Sequence, residues 1–241
     1  MRAIAQIAIR RRMWLRTLWP ESRPGHRQIY VTEGRVDMPR KNRVDPSGRV
    51  FEDASRAAEL MGNRGRLHNA ARKTVAERCA QKAWISCTLT EVYGKRDLDK
   101  VNTYTELFFL DEATAIAAGH RPCHDCRNAD LKFFKATWFR AQDSTKKSVT
   151  QIDEVLDRER LQDARVAANL DELPDGVIVS QRSNGSYYLL RKKMLYPWSF
   201  AGYGAGVPIG QFQDAFEVVT LPSMIRVLYA GYEPQVHGSL K

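Results

Sequence analysis

Apolar positions along the chain change their spacing twice, and each change marks a different kind of element. Residues 83–93, Ala83-Trp84-Ile85-Ser86-Cys87-Thr88-Leu89-Thr90-Glu91-Val92-Tyr93, are rich in β-branched and aromatic types and predict a strand. The charged stretch Gly94-Lys95-Arg96-Asp97 reads as a loop, and Tyr104 to Leu110 supplies a returning strand, so the two are expected to form a hairpin. Asp111 then stands where a helix N-cap is needed; Ala113, Ile116 and Ala117 share a face, Gly119 suits the left-handed position after a helix, and Pro122 blocks continuation. Leu131, Phe134 and Trp138 fall at i, i+3 and i+7, which predicts an amphipathic helix packing an aromatic face inward. Residues 151–170 continue with a charged helix carrying a narrow stripe of Ile152, Val155 and Leu156. From Val177 the period shortens to that of strands, with an Asn184-Gly185 hairpin signal and the aromatic, glycine-rich run Tyr196 to Gly204. Upstream, Met61-Gly62-Asn63-Arg64-Gly65-Arg66 reads as a glycine-spaced basic loop without the spacing of a Walker motif.

The expected architecture is α+β: a zinc-bound hairpin and helix core over residues 38–150, then a helical segment and a small β module over 151–241 packed on it. Residues 1–37 carry Arg10-Arg11-Arg12 behind a short apolar run and read as a basic, poorly ordered extension. At 241 residues with 43% hydrophobic content, the chain is long enough for a folded core.

Charge adds direction to this picture. The net charge is +10, and residues 1–50 hold twelve Lys/Arg against four Asp/Glu while residues 151–241 hold nine against eleven. A basic N-terminal half attracts polyanions, of which nucleic acid is the commonest in a cell. Four cysteines are too few for a disulfide scaffold, and no run of eighteen apolar residues exists for a membrane span, which points to a reduced, cytoplasmic protein.

The candidate chemistry lies in Gly119-His120-Arg121-Pro122-Cys123-His124-Asp125-Cys126-Arg127. Two thiolates three residues apart on a tight turn can both reach one tetrahedral Zn²⁺ at about 2.3 Å. Together with Phe108-Phe109 and the alanine-rich helix before it, this stretch resembles the metal-binding domain of Ada-type DNA methylphosphotriester repair proteins. Trp84-Ile85-Ser86-Cys87 is similar to the strand that ends in that family's first cysteine, which is both zinc ligand and methyl acceptor. The resemblance therefore implies zinc on Cys87, Cys123 and Cys126, and a DNA-facing surface. It departs where the family's second cysteine would fall, at Glu91, and where His120 replaces an aromatic residue. As a surface group, a phosphate contact or a substitute ligand, His120 has three candidate roles. The fourth ligand is assigned to Cys79, with His68, Glu91, His120 and His124 as the other candidates.

The functional expectation is a zinc-binding protein that holds nucleic acid, with Arg64, Arg66, Lys95, Arg96, Arg121 and Arg127 contacting phosphates. One alternative is a zinc-dependent DNA repair or modification enzyme, with Cys87 as methyl acceptor or a zinc-bound water as nucleophile served by His120, His124 or Asp125. Another is a protein-interaction module with structural zinc.

Overall fold

The structure, a computed structural model, describes residues 39–68, 76, 78, 80–89, 104–142, 148–162 and 166–240. Met38–Lys241 forms one compact unit of mixed α and β structure. Its first sheet uses β1 (Lys41–Val44), β2 (Val50–Glu52), β3 (Leu60–Asn63), β4 (Ile85–Thr88), β5 (Leu107–Phe109) and β6 (Arg121–Pro122), in the order β2-β1-β5-β3-β4-β6. The predicted strands around Cys87 and Phe109 are both present, but they are not hairpin partners. Between them lies β3, antiparallel to each, with Met61 opposite Phe108 on one side and Cys87 on the other.

That correction has a steric cause. Met61-Gly62-Asn63 reads as loop because of its glycine, yet Gly62 is what admits the strand. A Cβ at that position would stand 2.2 Å from Phe109 Cε2, so only a residue without a side chain lets the phenyl ring cross the strand here.

Helix α1 (Glu112–Ala117) follows β5 directly and is buried along its whole length. Asp111 caps it, accepting from Thr114 N at 2.8 Å, and Gly119 closes it at φ 77°. Its alanines have a packing purpose. Ala115 and Ala118 lie against Val44, Leu60, Leu107 and Phe109 of the first sheet, while Ala113 and Ala117 lie against Ile178, Leu189 and Tyr203 of the second. A helix clasped on both sides has little room for longer side chains.

The second sheet comprises β7 (Ile178–Gln181), β8 (Tyr187–Arg191), β9 (Met194–Ser199), β10 (Gly202–Tyr203), β11 (Val207–Pro208) and β12 (Phe216–Val218), in the order β10-β9-β8-β7-β12 with β11 also on β9. The expected hairpin at Gly185 is there, at φ 71°. Helices α2 (Asn128–Ala141), α3 (Val149–Gln162) and α4 (Pro222–Tyr229) complete the chain. The stripe Leu131, Phe134 and Trp138 faces inward as its period requires, and Phe134 and Trp138 join Ile152, Leu156, Val179 and Val227 in the largest core. The expected helix over 151–170 ends by Gln162, and Ala167 instead bridges to Glu217 beside β12. Among the described residues, no helix is long and apolar enough to cross a membrane.

Candidate metal centre

Two chain segments far apart in sequence bring the thiols together. The parallel pairing of β4 with β6 sets Ser86 against Pro122, and Cys123 N donates to Ser86 O at 2.9 Å. The next residue on each strand is a cysteine, and the turn after Cys123 returns Cys126 to the same point. The sulfurs of Cys87, Cys123 and Cys126 lie within 4.8 Å of one another, and all three cysteines are free thiols. In a tetrahedral zinc-thiolate centre with ~2.3 Å bonds the sulfurs sit roughly 3.8 Å apart, so a small inward adjustment would seat a cation between these three. Among the described residues, this trio is the only group of three or more His, Cys, Asp or Glu side chains close enough together to hold a metal ion. The donor set is soft and suits a thiophilic cation.

The thiols also divide their protons unequally. Cys123 accepts from the Cys87 thiol and, against the effect of burial, from the backbone N–H groups of Cys126 and Asp125, which holds it down to about 5. Cys87 is pushed far up, first because it donates to Cys123 and then because it is buried beside two other sulfurs. The donors around Cys123 thus favour the thiolate there, the form that binds metal.

Arg127 locks the arrangement from behind. Its guanidinium donates from Nη1 to Ser86 Oγ at 2.9 Å, from Nη2 to Glu112 Oε1 at 2.6 Å and from Nε to Asp130 Oδ2 at 2.8 Å. Glu112 also accepts from Tyr232 Oη at 2.8 Å and from Gln235 N at 2.9 Å. Arg121 points the other way and grips Asp153 of α3 with two bonds of 2.7 and 2.8 Å.

These contacts change the role assigned to three arginines. Arg121 and Arg127 were expected to flank the cysteine turn as phosphate contacts, but both are buried and committed to carboxylates of this chain. Arg64 was expected on a basic loop. It is fully buried, with its guanidinium 4.0 Å from the Trp84 ring centroid, Nε donating to His120 Nε2 at 3.0 Å and Nη1 donating to Gly48 O at 2.7 Å. Arg66 is exposed. Cys79, Glu91, Lys95 and Arg96 lie outside the described residues.

The histidines separate just as clearly. His120 is fully buried between Trp84 and Phe109, with ring centroids 5.1 and 4.6 Å away, so it is neither a surface group nor a member of the thiol cluster. Because Nε2 accepts from Arg64, the proton of the neutral ring belongs on Nδ1. Burial, reinforced by the nearby Arg64 and Arg160 cations, holds its pKa well below 6.5. His68 is buried with Nδ1 2.6 Å from Thr105 Oγ1. His124 is exposed, with Nδ1 3.2 Å from Asp125 Oδ1. None of the three joins the sulfurs.

Sequence reasoning missed Ser86, Glu112 and Tyr232, which hold the site through Arg127. Glu112 reads as an ordinary first-turn acid, and its partner Tyr232 lies 120 positions further along the chain. No protein-family model, curated protein or solved structure matches this chain.

Proposed function

We propose that this protein holds one structural Zn²⁺ on Cys87, Cys123 and Cys126 and uses the exposed cations around that centre to bind nucleic acid, DNA in the first instance. The observation that carries the metal is the convergence of three sulfurs, one from β4 and two from the turn after β6, within 4.8 Å. The resemblance to the Ada-type metal-binding domain supplies zinc as the cation, DNA as the polyanion and a fourth ligand, for which Cys79 remains the assignment. Three thiolates with no histidine among them favour a closed, structural centre over one that keeps a position open for water. Cys87 is also 9% exposed, which argues against its serving as a methyl acceptor, since that sulfur must be reached by a phosphotriester.

With Arg64, Arg121 and Arg127 committed inside the protein, phosphates fall to other cations: Arg66, Lys132 and Arg140 on the described surface, together with Lys95 and Arg96. The net charge of +10 supports a polyanionic partner, and free thiols suit a reducing compartment such as the cytoplasm.

Metal analysis of protein purified under reducing conditions tests the first half. One zinc per chain is expected, lost in Cys87→Ser, Cys123→Ser and Cys126→Ser, and a metal-free wild type of full stability would overturn it. A salt titration tests the second half. Affinity for duplex DNA should fall with a log–log slope of about −0.9 per phosphate neutralised, and no affinity for any nucleic acid at low salt would leave a zinc-stabilised protein-interaction module.

A further inference from the structure

Helix α2 begins immediately after the cysteine turn, and its outward side is unusual. Ala129, Lys132, Phe133, Ala136 and Arg140, at i, i+3, i+4, i+7 and i+11, form one exposed stripe. In its middle, Phe133 is 54% exposed, although the helix buries its other aromatic residues, Phe134, Trp138 and Phe139.

This ring has a partner on one side. It stacks on Tyr232 with centroids 5.6 Å apart and planes 25° from parallel. Tyr232 is itself 4% exposed, meets Phe134 edge-on at 5.3 Å, and is tied through Oη to Glu112, the carboxylate that Arg127 grips. One face of Phe133 is therefore backed by protein, and holding the ring ready costs little further ordering on binding.

On the outer stripe of α2 itself the charged residues are both cations, while exposed Glu233 follows Tyr232 on the neighbouring segment. Lys132 precedes Phe133, and Arg140 follows two turns later with Nη2 on Ala230 O. The single acidic residue of α2, Asp130, is occupied by Arg127. Lys132 and Arg140 stand about 12 Å apart along the axis, leaving room between them for one nucleotide.

We infer that Phe133 is a base-stacking residue, and that the outer stripe of α2 takes single-stranded nucleic acid with an unpaired base on Phe133 and the neighbouring phosphates on Lys132 and Arg140. This rests on the nucleic-acid reading above and adds to it the form of the ligand. Paired bases inside a duplex expose no ring face, whereas any unpaired base offers one to an aromatic side chain.

Fluorescence anisotropy at low salt, with a labelled oligothymidylate of about twelve nucleotides and a duplex of the same length, tests the assignment. The wild type should prefer the single strand. Phe133→Ala should weaken single-strand binding by about 5- to 100-fold, while duplex affinity, zinc content and the salt slope stay unchanged. Phe133→Trp should retain wild-type affinity. An unchanged Phe133→Ala affinity for the single strand, an equal loss on both ligands, or a wild type that binds only duplex would each overturn the stacking role while leaving the nucleic-acid reading in place. A wild type that binds neither, or that binds polyglutamate instead, would overturn both.

Discussion

Arg127 Nη1 donates to Ser86 Oγ at 2.9 Å, which ties the residue after Cys126 to the residue before Cys87. The two chain segments that carry the thiols are thus joined by a hydrogen bond whether or not a cation joins them. Because the same guanidinium neutralises Glu112, whose side chain is only 2% exposed, the cysteine turn and the N-terminus of α1 share one buried charge pair.

Removing that cation should be costly. Arg127→Ala leaves Glu112 with Tyr232 and Gln235 N as donors but no opposite charge, and breaking a buried pair this way costs about 3–5 kcal/mol. Urea denaturation of the variant should show that loss, and adding Glu112→Gln should recover part of it. Arg66→Ala, at an exposed position, should change stability by no more than about 0.5 kcal/mol. Equal effects of the two arginine changes would show that the buried pair contributes nothing special.

His120 predicts an acid limit to stability. Its pKa in the folded protein lies well below 6.5, held there first by burial and then by the Arg64 and Arg160 cations. The unfolded chain takes up this proton near pH 6.5 and the folded one does not, so the unfolded state binds more protons below that pH. The contribution is complete above pH 6.5 and declines as pH falls below it, at about 1.4 kcal/mol per unit. His120→Gln should be less stable than wild type at pH 7.5, yet fall less steeply between pH 6.5 and 5 in the same buffers. Parallel pH profiles for the two proteins would refute the assignment.

Gly62 predicts a steric failure at the centre of the first sheet. A methyl group there would meet Phe109 Cε2 at 2.2 Å and Cζ at 2.9 Å, and Phe109 is fully buried on the strand next to β3. Gly62→Ala should lower unfolding stability by about 1–3 kcal/mol. Combining it with Phe109→Leu should cost less than the sum of the two single changes, which a double-mutant cycle in urea will show.

These cases explain which parts of the fold could be read from sequence. Helix α1 was legible because its signals are local: Asp111 caps it, Gly119 ends it, and the alanines between them need no distant partner to be interpreted. The thiol positions were legible from spacing and from the resemblance, and Leu131, Phe134 and Trp138 from period alone. Strand β3 was not, because the reason for Gly62 is the ring of Phe109, a partner in another strand. The same holds for the arginines. A guanidinium in a sequence reads as surface charge, and only the fold reveals that Arg121 meets Asp153, 32 residues away, or that Arg64 lies over Trp84. The turn between β8 and β9 was hidden for another reason. Lys192 and Lys193 adopt φ 50° and 57°, the backbone of a two-residue hairpin that usually calls for Asn-Gly, and nothing in Lys-Lys announces it.

Adjacent carboxylates at the start of α1 reach the far end of the chain: Asp111 accepts from Tyr203 Oη at 2.8 Å and His237 N at 3.0 Å, and Glu112 accepts from Tyr232 Oη and Gln235 N. A fragment cut before Val177 would leave both acids without these donors and would strip the partners from one flank of α1. The cysteine turn is therefore no portable finger that recombination or limited proteolysis could release in working form. Its surroundings are completed by the C-terminal segments, whose donors hold the first residues of the helix that precedes it.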